Sequence, residues 1–156
     1  MSIELTLNAI KKAAIEIPIQ GKTYVIVYCE VKQADLKFYT INPRIYTALH
    51  SGNGIPTQDD IEGYLKKMDH VRELRDDIKK NGGLLEPVLV KESTREVVEG
   101  NRRLAAYRLL AHTDPIKWGR IRAFVLPKTV NNSDISSILS QLHLKGRVAS
   151  RENVTR

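Results

Sequence analysis

Apolar positions along this chain change their spacing several times, and each change marks an element. Ile15, Ile17 and Ile19 alternate with Glu16 and Pro18, the period of a strand with one buried face. Gln20-Gly21-Lys22 is a turn, and Thr23 to Val31 is rich in β-branched and aromatic residues, so the two runs read as a β-hairpin. Pro18 puts the first strand at a sheet edge, because proline cannot donate to a ladder. Ahead of it, residues 3–14 (Ile3, Leu5, Leu7, Ile10, then Lys11 and Lys12) are ambiguous between a short helix and irregular structure.

Asp35 to Tyr39 leads into Asn42-Pro43-Arg44, where proline forces an extended Asn42 and a rigid bend. Residues 51–56, Ser-Gly-Asn-Gly-Ile-Pro, form a loop. Asp59 to Asn81 is helical by composition. Val71, Leu74 and Ile78 form its buried stripe, Asp69 can cap that segment, and Asn81-Gly82-Gly83 stops it. Leu84 to Val90 is a buried strand entered through a proline bend, Lys91 to Glu96 a polar turn, and Val97-Val98 a second strand. A helix follows with Leu104, Tyr107, Leu110 and Ala111 inward, ending near His112 and Pro115. Ile121 to Leu126 is another strand, closed by Pro127. Ser133 or Asp134 caps a last helix striped by Ile135, Ile138, Leu139 and Leu142, and ended by Gly146. Strands and helices alternate irregularly, so the class is α+β: a small mixed sheet flanked by helices and preceded by the N-terminal hairpin.

At 156 residues the chain is one ordinary domain, long enough to bury a core. The single cysteine, Cys29, excludes an internal disulfide framework and a cysteine-rich zinc site, and favours a reducing, cytoplasmic setting. Its place in the second hairpin strand makes it a small core residue rather than a nucleophile. No apolar run approaches membrane-spanning length. The net charge of +7 favours an anionic partner, of which nucleic acid is the commonest. Arg102, Arg103, Arg108, Lys117, Arg120 and Arg122 face only Glu99 and Asp114 in their stretch. Lys145, Arg147, Arg151 and Arg156 add to the C-terminal end.

The chemistry concentrates in Val97-Val98-Glu99-Gly100-Asn101-Arg102-Arg103. A strand that passes to a helix through glycine leaves unpaired N–H groups at the positive end of the helix dipole, a site for phosphate. Adjacent arginines point about 100° apart on a helix, so they divide two roles. One faces the anion; the other pairs with an acid such as Glu86 or Glu99, or meets a second phosphate. Asn101 is small enough for the first turn and can donate to a phosphate oxygen. The alternative is a plain strand-to-helix turn with solvated arginines.

The order of features carries more than the short motif. Asn42-Pro43-Arg44, a helix ending in Asn81-Gly82-Gly83, the Leu84-Leu85-Glu86-Pro87 strand entry and the Gly100 to Arg103 box together resemble the N-terminal domain of the ParB/sulfiredoxin superfamily, over roughly residues 30–148. The resemblance implies a small α+β domain that binds a nucleoside triphosphate, CTP or ATP with magnesium as a possible companion. It implies Gly100, Asn101, Arg102 and Arg103 as the phosphate box, and Asn42 and Arg44 in the first motif. It makes DNA and nucleotide the expected partners, and admits a homodimer. The division is then a hairpin extension over 1–30, the ParB-like domain over 31–148 and a basic tail or truncation end over 149–156.

The departures narrow the chemistry. Sulfiredoxin carries its reactive cysteine where this chain has Asn101, and Cys29 lies far upstream, so that activity is not expected. The partition-type box has glutamate at Asn101, so any role of that glutamate is either lost here or moved, with Glu99 the candidate to take it. Two stretches compete for the later metal-holding box of partition proteins: Glu152 to Arg156 has its letters but comes late, and His143 to Arg147, favoured by position, lacks its acid and amide. Lys145 and Arg147 are therefore read as DNA or second-phosphate contacts, and no metal ligands are assigned. The first functional expectation is a CTP- or ATP-responsive, DNA-associated switch. The second is an NTP-dependent enzyme (NTPase, small-molecule kinase or nuclease) with Glu99, Glu86 and His143 as candidate catalytic groups. The third is an interaction module whose pocket has decayed.

Overall fold

The computed structural model describes residues 9–39, 56–83 and 86–142. Strands β1 (Ala9–Ile19) and β2 (Lys22–Lys32) are the antiparallel hairpin, turning through Gln20 and Gly21, both at positive φ. That backbone matches the right-handed twist of the flanking strands. β1 is an edge strand, as Pro18 requires. Its register slips between Lys11 and Ala13, and the slip and the lysines discourage a further strand from adding there. Residues 9–14 are strand, correcting the helix-or-irregular reading of that part. Their ladder partners, Val27 to Val31, are too far along the chain for local periodicity to reveal.

After a 3-10 turn at Gln33–Asp35 come β3 (Lys37–Phe38), α1 (Gln58–Lys66), α2 (Asp69–Asn81), β4 (Val88–Lys91), β5 (Glu96–Glu99), α3 (Asn101–Thr113) and β6 (Arg120–Leu126). Residues 132–142 are a further helix, α4. The fold is α+β, with one mixed six-stranded sheet in the order β1-β2-β6-β4-β5-β3. The β4–β6 and β3–β5 pairs are parallel and the other pairs antiparallel. The hairpin is continuous with this sheet through the β2–β6 ladder.

Alternation along the strands divides the core. Val27, Cys29, Val31, Ile121, Ala123, Val125, Val88 and Val90 face α1, α2 and α3. Tyr24, Ile26, Leu126 and Leu89 face the other way, with Ile17 and Ile19, onto Ile138 and the half-buried Ile135, Leu139 and Leu142 of α4. No helix among the described residues is long and apolar enough to cross a membrane.

Three local expectations are corrected. The helix expected over Asp59 to Asn81 is two helices, broken at Lys67-Met68. The buried residues Ile61 and Leu65 of α1 would place the next inward positions near 68 and 72, whereas α2 buries Val71 and Ile78. The break lets both stripes reach the core. Thr57 and Asp60 form a reciprocal capping box for α1, while the cap of α2 is Met68 and Asp69 is its first residue. Helix α4 starts at residue 132, so neither Ser133 nor Asp134 is its cap. Asp134 is buried instead, and accepts from Tyr24 Oη at 2.5 Å with Lys22 at 3.8 Å.

One side chain fastens the helical layer to the sheet. From α3, Arg108 donates to the carbonyl oxygens of Gln33 (3.1 Å) and Leu36 (2.7 Å), bonds to Glu62 of α1, and lies over the Phe38 ring. Lys66 bonds to Glu62 at 2.6 Å and also meets His112 Nε2 at 3.0 Å. Burial alone would raise the Glu62 carboxyl, but bonds and charge from Lys66 and Arg108 outweigh it and hold it below its ordinary 4.5. A carboxylate depressed in the native state contributes stability above its unfolded pKa, and that contribution is lost as pH falls through the lower native value. Glu62→Gln is therefore expected to cost about 2 kcal/mol at pH 7. Denaturant titrations across pH 3–7 should show the gap to the wild type shrinking below about pH 4.5.

Candidate functional site

The β5–α3 junction turns on Gly100, whose φ of 103° and ψ of 26° lie in the left-handed region. A Cβ there would sit 2.8 Å from Val88 Cγ1 and 3.2 Å from Arg103 Nη1. Both backbone and packing thus demand glycine. The first intrahelical bond runs from Leu104 N–H to Gly100 O at 3.0 Å. The N–H groups of Asn101, Arg102 and Arg103 precede it at the positive helix end.

The three side chains after Gly100 take separate tasks. Asn101 is buried and turned inward: Oδ1 accepts from Tyr39 N–H at 3.0 Å, and Nδ2 donates to Val97 O at 2.9 Å. It ties β5 to the end of β3. Arg103 donates to Pro87 O at 3.1 Å and pairs with Glu86 at 3.0 Å, so it braces the entry to β4. Arg102 is exposed and has no ion-pair partner among the described residues. The helix geometry that separates neighbouring arginines leaves one engaged and the other available.

These residues open onto a cleft of about 620 Å³. One wall is Val98, Glu99, Gly100, Asn101, Arg102 and Arg103; the other is Tyr64, Leu65 and Met68 at the α1–α2 corner, with Leu74 of α2. The volume is in the range of small-molecule sites, and the cleft is apolar on one side and cationic with backbone donors on the other. Sequence reasoning missed the corner residues because it ran one helix through them. The phase mismatch between Ile61, Leu65 and Val71, Ile78 was the available signal.

Of the candidate catalytic groups, Glu99 lines the cleft and Glu86 is engaged by Arg103. His143, Lys145 and Arg147 lie outside the described residues, as do Asn42 and Arg44 of the first motif, residues 51–55, Leu84, Leu85 and the 149–156 tail. Of the described basic residues between Glu99 and Arg122, Arg102 and Arg103 lie at the junction and the others are placed elsewhere. Arg108 turns inward to Glu62, Lys117 sits over Trp118, and Arg120 and Arg122 lie on β6. Burial, with a smaller push from Glu30, raises the Cys29 thiol to about 11, as suits a core residue. Among the described residues no group of three or more His, Cys, Asp or Glu is placed to hold a metal ion.

Comparison with protein-family models, curated proteins and solved structures found no match in any of the three.

Gly100→Ala should lower stability by about 2 kcal/mol, since it combines backbone strain with a contact that Val88 must yield to. Chemical denaturation reads the loss. Gly82→Ala, also at positive φ but with open space around it, should cost less.

Proposed function

We propose that the chain is a nucleotide-binding domain of the ParB/sulfiredoxin type, taking a nucleoside triphosphate, CTP or ATP, in the cleft at the start of α3. The observation that carries this reading is the exposed Arg102 beside the helix-start N–H groups, facing an apolar wall across a cleft of mononucleotide size. The phosphates lie at the α3 N-terminus, held by those N–H groups and by the Arg102 guanidinium, which suits phosphate through paired, permanently charged donors. The sugar and base lie toward Tyr64 and Met68. Asn101 contributes its backbone N–H, because its side chain is committed to Tyr39 and Val97. Arg103 positions β4 and meets phosphate only by exchanging Glu86.

A second reading, an NTP-dependent enzyme, is favoured by the carboxylate of Glu99 on the cleft wall. A general base must lie within hydrogen-bond reach of its nucleophile, and Glu99 is the candidate to test.

Calorimetry with CTP, ATP and GTP, each with and without magnesium, tests binding. Arg102→Ala should weaken the bound nucleotide about tenfold or more, without loss of thermal stability. Glu86→Gln should tighten it about two- to fivefold by releasing Arg103 from a competing, solvent-exposed anion. Flat titrations with all three nucleotides would sink the proposal. Phosphate release that disappears in Glu99→Gln while binding persists would establish the enzyme.

A further inference from the structure

Among the described residues, the second face of the sheet is only partly covered by α4. Its apolar surface continues past the buried Ile26 and Leu126 to Tyr28 and Phe124, both half-buried. These two residues are direct cross-strand partners, with ring centroids 5.4 Å apart and planes tilted by 44°. Alternation puts the next side chains of this face at Glu30 opposite Arg122, then Lys32 opposite Arg120. Each step is one pleat repeat, about 7 Å, farther from the rings. Lys12 of β1 reaches the same place, pairing with Glu30 at 3.1 Å. Four cations therefore border an aromatic pair with one carboxylate among them, in a chain whose net charge is already +7.

This arrangement is distinct from the α3 cleft: it is built on β2 and β6, whereas the cleft's residues on the sheet side come from β5 and the start of α3. We infer that the Tyr28–Phe124 face is a platform for single-stranded nucleic acid, with unpaired bases against the rings and the backbone phosphates along Lys32, Arg120 and Arg122. Charge complementarity selects a polyanion. The aromatic pair selects one whose bases are unstacked, because a duplex hides its base faces whereas a single strand can lay them on a ring. An anionic lipid surface would use the cations but would not need the rings.

The test is fluorescence anisotropy of the full chain with labelled oligothymidylate and its RNA counterpart, beside a duplex of equal length and vesicles containing phosphatidylserine, over a salt series. The inference expects the single strands to bind more tightly than the duplex, with affinity falling as salt rises. Tyr28→Leu and Phe124→Leu, which keep apolar bulk, should each lower single-strand affinity about tenfold. Arg122→Gln and Lys32→Gln should weaken it and flatten the salt slope. Arg102→Ala should leave it unchanged, and Arg122→Gln should leave any nucleotide binding unchanged, so this face and the cleft fail separately. Duplex binding equal to or tighter than single-strand binding would overturn the inference. So would vesicle binding without oligonucleotide binding, no binding at low salt, or full affinity in both ring variants while circular dichroism shows them folded.

Discussion

The arrangement of the helices depends on Arg108. It leaves the middle of α3 and reaches the carbonyl oxygens of Gln33 and Leu36, the Glu62 carboxylate and the Phe38 ring. Those partners belong to the 3-10 turn, β3 and its approach, and α1, none of which is a sequence neighbour of α3. A planar guanidinium can satisfy several acceptors at once, which a lysine at this position could not. Glu62 is shared with Lys66, so the charge taken from water is compensated on both sides. The consequence reaches well beyond the pair. Fixing α3 lengthwise fixes where its first turn emerges, and so where Gly100 and the N–H groups after it point.

Two amide side chains complete the same task at the sheet edge. β3 spans two residues, too few to hold itself in place by ladder bonds alone. Gln58 supplies what is missing: Oε1 accepts from Phe38 N–H at 2.7 Å, and Nε2 donates to Phe38 O at 2.9 Å, in the manner of an added strand. Asn101 then takes Tyr39 N–H and Val97 O. Gln58 opens α1 and Asn101 opens α3, so two of the helices that line the cleft are both anchored to β3 and the residue that follows it. On the proposed reading, the cleft walls are set before a ligand arrives, which lowers the ordering cost of binding.

What the sequence made legible was local. The hairpin, its edge position, the β5–glycine–α3 junction and the α4 stripe all follow from period-two or period-3.6 spacing and from turn residues. The contacts that join these pieces were not legible, because they bring together residues far apart in the chain. Tyr24 meets Asp134, Tyr39 meets Asn101, and Gln33 meets Arg108. Asp134 has the composition of a cap and becomes a buried acceptor. Asn101 has the position of a phosphate donor, and its side chain becomes a strap. Arg108 counts as surface charge in a tally and becomes the centre of the helix layer. The break at Met68 falls between these cases: the stripe phases of α1 and α2 reveal it, but only when the two are compared.

The two adjacent arginines show how far local geometry carries and where tertiary structure takes over. Residues one apart on a helix cannot share a face, so Arg102 and Arg103 had to separate. Which of them became structural depended on β4. Val88 packs against Gly100 so closely that no Cβ fits, and this draws the β4 entry under the start of α3, within reach of Arg103. Arg103 accordingly spends its donors on Pro87 and Glu86. Arg102, on the next position around the helix, has no such strand beside it among the described residues and is exposed at the cleft. The glycine therefore does more than permit a turn. By allowing the close approach of β4, it assigns one arginine to hold the junction together and leaves its neighbour exposed at the cleft.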